Sequence, residues 1–155
     1  MRAECKHGLI AVLFVFGLLL PIFSDAMESS SAVLPKALVD ARFYSWGMVG
    51  TPGAISEEEN AARKVFRDWS RNEVFRALPT ANPEGKLYLL CVVRRRFPDR
   101  YAEAKALAGL AQDQQVSVFS GSVLRKVLAS DLIGQFERSA CEPLSWPQDP
   151  APKGG

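Results

Sequence analysis

The first 26 residues constrain this chain most, because they set the compartment and the size of the part that folds. Arg2 and Lys6 precede an apolar run from Leu9 to Phe23, and small residues occupy the last and third-last positions before a cleavage site after Ala26. This is the three-part layout of a secretory signal. A membrane-spanning helix needs about 20 apolar residues, and this run is shorter. We therefore expect an exported protein, periplasmic or secreted, with the signal peptide 1–26 removed and no stable membrane span after cleavage.

Removal of the signal leaves 129 of the 155 residues and keeps the net charge at +2. One domain of ordinary size is expected, and so small a charge does not predict nucleic acid as a partner. The only histidine, His7, belongs to the signal. The mature chain therefore has no means of forming a Ser–His or Cys–His nucleophile or an imidazole metal site. We expect neither a metal nor another cofactor.

The mature chain keeps two cysteines, Cys91 and Cys141. In an oxidising compartment an even pair is expected to form a disulfide. The bond would close a loop of about 50 residues, for which chain entropy gives about 4 kcal/mol of stability. The alternative is that Cys91 is a buried free thiol within an apolar run. A zinc site is not expected, because structural zinc takes four Cys or His ligands.

Two capping boxes and one proline mark the helix starts. Ser56 precedes three glutamates, and Ser70 repeats the pattern with Glu73, which indicates a break within the first long helix. Asn82 followed by Pro83 is a further start signal, because a capping residue and a proline at the first helical position both favour a helix N-terminus. The helices predicted from these signals and from apolar spacing are 57–78, 83–96, 98–111 and 131–138.

The seven-residue apolar run from Leu87 to Val93 is ambiguous, since periodicity does not distinguish a buried helix from a buried strand. The start signal before it favours a helix. Alternating β-branched residues predict a short strand near 116–119. The predicted fold class is therefore mainly α, a small helical domain with at most that one short strand. The alternative is an α+β domain with a central strand at 87–93.

Composition divides the mature chain into three segments. Residues 27–54 are predicted to be a flexible lead-in that ends in a loop rich in glycine and proline. The helical domain is assigned to 55–142. Four prolines and a double glycine from Pro143 onward predict a disordered tail over 143–155.

The densest run of charge is Arg94, Arg95 and Arg96, with Arg100 nearby. These arginines are the candidate partner-binding residues, for an acidic partner, lipid headgroups or nucleic acid. The favoured interpretation is a solvated helix end, whose cations suit the negative C-terminus of the helix dipole. Aromatic residues do not interleave with the arginines in a stacking pattern, which again argues against nucleic acid. The three acids after Ser56 fan around their helix and are interpreted as N-terminal helix charge.

Residues 55–110 carry a resemblance. A capping-box helix, the run from Gly85 to Cys91 and a Pro-Asp turn follow one another in this segment. That order resembles a pattern in uncharacterised exported bacterial proteins, and the Leu-Tyr-x-Leu-Cys run resembles the helix of a HEAT-type hairpin. The resemblance implies a small helical domain and carries no activity with it.

The lack of a catalytic motif and of a metal set, together with the expected disulfide, points to a non-enzymatic exported helical domain that binds another protein. Such a domain is an inhibitor, an immunity-type factor or an envelope component. The alternative is a small envelope enzyme or ligand carrier that uses scattered carboxylates, Tyr88 or Tyr101. A deep pocket with a pair of buried acids would favour the enzyme. An exposed apolar patch of more than about a few hundred Å² beside the arginines at 94–96 would favour the binding module.

Overall fold

The computed structural model of the chain describes residues 32–50, 53–138 and 141. The predicted signal peptide, the start of the lead-in at 27–31 and the predicted tail at 143–155 lie outside those residues. None of the helices in the described part is long and apolar enough to cross a membrane. In chain order the elements are α1 Lys36–Val39, β1 Met48–Val49, β2 Ala54–Ile55, α2 Glu57–Asp68, α3 Arg71–Ala77, a 3₁₀ turn Leu78–Thr80, α4 Pro83–Arg96, a 3₁₀ turn Pro98–Arg100, α5 Tyr101–Ala108, β3 Gln115–Ser120, β4 Val123–Leu128 and α6 Ala129–Arg138.

The fold is mixed α+β, so the prediction of a mainly helical domain is wrong. Of the described residues, 58% are helical and 17% lie in two small antiparallel hairpins. The strand predicted near 116–119 is a full strand, β3, and residues 123–128, for which no strand was predicted, form its partner, β4. Gly121 makes the connection possible, because its φ of 61° suits a two-residue hairpin turn. The alternative with a central strand at 87–93 is also wrong, because those residues form the middle of α4.

Helix α4 is the centre of the core, and its bounds are those predicted from its start signal. The Asn82 side chain accepts a hydrogen bond from the Gly85 N–H at 2.9 Å, and Pro83 occupies the first turn. Every residue from Leu87 to Val93 is fully buried, since α1, α2, α3, α5, α6 and β3 all pack against this helix. A helix buried on all sides shows no apolar stripe, which explains why periodicity left its type open. At Gly85 a Cβ atom would lie 1.9 Å from the Leu38 carbonyl oxygen, so only glycine lets α1 cross here.

The segment predicted as one helix over 57–78 is two helices with a break at the predicted serine. Ser56 accepts from the Glu59 N–H at 3.0 Å and begins α2. Trp69 ends α2 in an extended conformation. Ser70 and Glu73 then form a complete capping box that begins α3. Each helix start is therefore decided by side chains within four residues of it, which is why the sequence indicated both.

The remaining helices differ from their predicted bounds only at the ends. The helix predicted over 98–111 is a 3₁₀ turn followed by α5, which ends at Gly109 in a left-handed conformation with φ 59°. The helix predicted over 131–138 is α6, which starts directly where β4 ends.

The lead-in runs along β3 and forms hydrogen bonds with the edge of β3 that lies opposite β4. The Tyr44 N–H donates to the Ser117 carbonyl at 2.8 Å, and the Phe119 N–H donates to the Tyr44 carbonyl at 2.9 Å. Further along, the Gly50 N–H donates to the Gly121 carbonyl at 2.8 Å. These hydrogen bonds satisfy one edge of β3, while β4 satisfies the other. The lead-in then forms the short β1–β2 hairpin, which directly precedes α2 in the chain.

The predicted disulfide is confirmed. Cys91 and Cys141 are bonded, with their Cα atoms 5.8 Å apart. Both residues are buried. The Tyr44 hydroxyl donates to the Cys141 carbonyl at 3.0 Å, so the residue after α6 is fastened both to α4 and to the lead-in.

Candidate functional site

The β3–β4 hairpin has a buried strand and an exposed one. Val116 and Val118 of β3 lie in the core. On β4, Val123 is 60% exposed, Leu124 57% and Leu128 37%. Exposure of three large apolar side chains to water on one six-residue strand costs free energy in the isolated molecule. Such clustering is typical of a binding site rather than of scattered surface residues.

A tilted aromatic pair and three cations accompany these apolar side chains. The Phe43 and Phe119 rings lie 5.2 Å apart, and the Arg42 guanidinium lies 5.4 Å from the Phe43 ring. On β4 itself, Arg125 and Lys126 are exposed, and the Lys126 amine donates to a hydroxyl of β3 at 2.7 Å. The hairpin contains no acidic residue. We call β4 and the Phe119 side chain the hairpin surface; it combines apolar side chains with positive charge.

The outer edge of β4 presents backbone groups that no other described strand pairs with. The Ser117 carbonyl and the Phe119 N–H point toward Tyr44 of the lead-in, to which they are hydrogen-bonded, and the Ser117 N–H donates to the Glu84 carboxylate at 2.9 Å. The partners of Ser117 and Phe119 in the β3–β4 register are Lys126 and Leu124. In an antiparallel pair, residues at such a position direct their backbone groups outward on both strands. The N–H and C=O groups of Leu124 and Lys126 therefore point away from β3.

A buried polar centre lies beneath the lead-in, around one of the tyrosines that the sequence suggested for catalysis. The Ser45 N–H donates to the Tyr88 hydroxyl oxygen at 2.8 Å, and Ser45 Oγ lies 3.2 Å from that oxygen and from Ser56 Oγ. Burial raises the pKa of Tyr88 to about 12, and burial also raises the pKa of Tyr44 well above its usual value. At neutral pH both are uncharged, so they hold backbone and serine groups in place rather than exchange protons.

Tyr101, the other tyrosine singled out from the sequence, lies apart from this centre on α5. Burial raises its pKa to about 12, and its hydroxyl has no hydrogen-bond partner in the described part of the chain. The structure therefore does not bring Tyr88 and Tyr101 into one site.

Two of the three acids at the start of α2, interpreted from the sequence as N-terminal helix charge, are buried. Glu58 is 2% exposed and Glu59 is fully buried. Both Glu59 oxygens are occupied: one accepts from Arg63 at 2.6 Å and the other from the Gly47 N–H at 2.7 Å. Glu58 accepts from Arg42 at 3.0 Å through one oxygen, and its other oxygen has no partner among the described groups.

These buried acids fasten the lead-in to α2. A shallow pocket of about 180 Å³ lies between the start of the lead-in and α3. It is lined by Ala32, Leu34, Glu73, Arg76, Ala77 and Thr80. Neither Glu58 nor Glu59 belongs to that lining, so the arrangement expected of an acid–base enzyme is not assembled at it.

The four candidate partner-binding arginines contact several neighbouring helices: Arg95 and Arg96 contact the end of α2, Arg94 contacts α6, and Arg100 contacts α5 and α3. Arg96 donates to the carbonyls of Phe66 and Trp69 at 2.6 and 2.5 Å, and so satisfies acceptors at the C-terminal end of α2. Arg94 donates to a carbonyl near the end of α6 at 3.2 Å. Arg95 stacks over the Phe66 ring at 5.5 Å.

Arg100 pairs with Glu103 one turn along the chain and stacks over the Phe75 ring at 5.5 Å. All four arginines are only partly exposed. They join α4 and α5 to the neighbouring helices, which leaves the hairpin surface as the stronger candidate for binding a partner.

Sequence reasoning missed the hairpin surface, although its signals were present. The alternating segment from Gln115 to Ser120 is followed by a Gly-Ser pair and then by a second segment of equal length, which ends at Leu128 and contains two β-branched residues without alternation. Two alternating or β-branched segments on either side of a two-residue turn with glycine are typical of a β-hairpin.

No protein-family model, no curated protein and no solved structure matches the chain. The resemblance of residues 55–110 to exported helical proteins therefore stays a prediction. No three metal-ligating side chains come together among the described residues.

Proposed function

We propose that this protein is an exported, non-enzymatic domain that binds another protein through the hairpin surface. The observation that carries this proposal is the exposure of Val123, Leu124 and Leu128 on one strand whose outer edge is unpaired in the described part. Arg125 and Lys126 lie between these apolar residues, and the hairpin has no acid to offset them. Charge complementarity therefore favours a partner that carries negative charge.

The enzyme alternative has less support, because its candidate residues are engaged in structural contacts. Burial raises the pKa of its tyrosines, Tyr88 and Tyr101, and the carboxylate of Glu59 is fully occupied by hydrogen bonds. A catalytic residue must contact the cavity that binds the substrate. Neither Glu58 nor Glu59 lines the shallow pocket beside α3. Whether the domain acts as an inhibitor, an immunity-type factor or an envelope component follows from the identity of its partner.

The proposal is tested by site-specific photo-crosslinking in the native host. A photoreactive amino acid replaces Leu124 in one strain and Asn72, an exposed residue of α3, in a control strain. We expect a defined covalent adduct with one protein from the Leu124 position and none from the Asn72 position. An excess of purified wild-type protein should remove the adduct, whereas the purified Leu124→Asp variant should not.

Adducts of equal yield from both positions, or no adduct from Leu124, would contradict the proposal. Leu124 is mostly exposed, so the Asp variant is expected to keep the wild-type melting temperature, and that measurement excludes unfolding as the reason for lost competition. Export is tested separately by N-terminal sequencing of the protein from the host. A start near Met27 outside the cytoplasm is expected, and an intact Met1 in the cytosol would contradict it.

A further inference from the structure

We propose that the outer edge of β4 binds an extended acidic segment of the partner, which adds to the hairpin as a further β-strand. This inference rests on the proposed function and names the chemistry that the hairpin surface recognises. Strand addition is an established way for a sheet edge to bind a peptide, with the main chain giving affinity and alternate side chains giving specificity.

The backbone supplies the first requirement. Leu124 and Lys126 direct N–H and C=O groups away from β3, with Leu128 at the next position of the same alternation. An added strand would satisfy these groups in a regular ladder. Both neighbouring residues on the strand, Arg125 and Val127, already exchange hydrogen bonds with β3, so the edge is held in an extended conformation before a partner arrives. A preorganised edge lowers the entropy cost of binding.

The side chains supply the second requirement, because their order defines the complementary sequence. From the turn to α6, β4 presents two apolar residues, two cations and two apolar residues. Residues directly opposite each other on adjacent strands interact most strongly. The matching strand therefore has two acids in its centre and two apolar residues on each side. Because this pattern reads the same in both directions, it fits a parallel as well as an antiparallel strand.

The same charges argue against a second copy of this chain as the occupant. Two β4 strands paired edge to edge would bring Arg125 and Lys126 of one copy against those of the other, and like charges opposite each other are destabilising. A lysine on an edge strand discourages such self-association. The chain's own segment 143–155 is a poor strand for this edge too, since its four prolines lack the N–H donors that a ladder needs.

The experiment measures the affinity of the full-length mature protein for a labelled synthetic peptide by fluorescence anisotropy. The peptide has the sequence Thr-Val-Ile-Asp-Glu-Ile-Val-Thr, and its control carries Asn-Gln in place of Asp-Glu. We expect saturable binding of the acidic peptide and affinity lower by about tenfold for the control, since attraction is lost at two positions. Higher salt should weaken the acidic peptide's binding more than that of the control.

Two variants test the charge, and two modified peptides test the backbone. Lys126→Glu should weaken binding of the acidic peptide by about tenfold or more, whereas Lys64→Glu, the same change at an exposed position of α2, should leave it unchanged. The double variant Arg125→Glu, Lys126→Glu should instead bind a peptide with Lys-Lys in the centre. N-methylation of the acidic peptide at one alternating set of residues should abolish binding, and methylation of the other set should be tolerated, because only one set faces β4.

Lack of binding by the acidic peptide, equal effects of the Lys126 and Lys64 variants, or equal affinity of the two N-methylated peptides would overturn strand addition. Binding that emerges only after residues 143–155 are deleted would assign the edge to the chain's own tail and would also overturn it. Crosslinking from Leu124 remains the separate readout. If its adduct persists while strand addition fails, the proposed function stands and only the partner chemistry is wrong.

Discussion

Opening the Cys91–Cys141 disulfide removes a constraint on the unfolded chain, and the loop that it closes sets the size of the effect. The two cysteines are 50 residues apart, and loop closure of that length corresponds to about 4 kcal/mol at 25 °C. Tyr44 adds a hydrogen bond to the Cys141 carbonyl at 3.0 Å, worth about 1 kcal/mol. We therefore expect the double variant Cys91→Ala, Cys141→Ala to lose about 4–5 kcal/mol of free energy of unfolding.

Urea denaturation measures this loss, with the reduced wild-type protein as the matched control. Reduction opens the same loop without truncating a side chain, so it separates the loop effect from any cavity left at the buried Cys91 position. For a domain of about 130 residues the unfolding entropy converts 4 kcal/mol into a fall in melting temperature of about 15 °C. Urea denaturation and the melting temperature should agree on the direction and on most of the magnitude of this loss of stability.

The reasoning is refuted if reduced and oxidised wild-type protein differ by less than about 1 kcal/mol. If the double variant is destabilised while reduction has no effect, packing at position 91 rather than loop closure carries the stability. Alkylation of both thiols in protein taken directly from the host, without reductant, would show that the bond does not form there.

Three further predictions concern the core. Arg96→Ala should cost about 2 kcal/mol because it leaves two helix-end carbonyls without their charged donor, whereas Arg100→Ala should cost less than about 0.5 kcal/mol because its ion pair is exposed; equal costs in urea denaturation would contradict this. Burial raises the pKa of all three tyrosines, so their contribution to stability should be constant up to the usual tyrosine pKa of 10.0 and fall above it as the unfolded chain ionises first. Tyrosinate absorbance that rises before unfolding would argue against it. Gly85→Ala should cost more than about 2 kcal/mol, because its Cβ would lie 1.9 Å from the backbone of α1; an unchanged melting temperature would contradict that close approach.

The features that the sequence predicted are those decided by neighbouring residues. Asn82 and Pro83 determine the start of α4 within one turn, and Ser70 with Glu73 determines the break between α2 and α3. The disulfide was predicted from the two cysteines left after the expected signal cleavage and from the oxidising compartment that the signal predicts. The groups that determine the helix starts lie close together in the sequence, and two cysteines allow only one disulfide. Neither prediction therefore required knowledge of the tertiary fold.

The features that the sequence missed depend on residues far apart in the chain. Residues 123–128 have no strong preference of their own, and they become a strand because β3 pairs with them and Tyr44 pairs with the other side of β3. Glu59 looked like helix-end charge, and its burial depends on Arg63 together with Gly47 of the lead-in. Arg96 looked like a surface cation because the carbonyls that it binds belong to another helix. Such contacts are defined by packing, which periodicity and composition do not report.

Residue-resolved amide hydrogen exchange tests the central claim most directly, since it observes the edge of β4 itself. In the free protein the N–H groups of Leu124 and Lys126 point outward and should exchange fast, whereas those of Arg125 and Val127 bond to β3 and should exchange slowly. Addition of the acidic peptide or of the crosslinked partner should slow exchange at Leu124 and Lys126 by at least about tenfold, as expected for amides that enter a ladder. Saturating partner that leaves both amides fast, while protecting residues elsewhere, would contradict the assignment of the hairpin surface as the binding site.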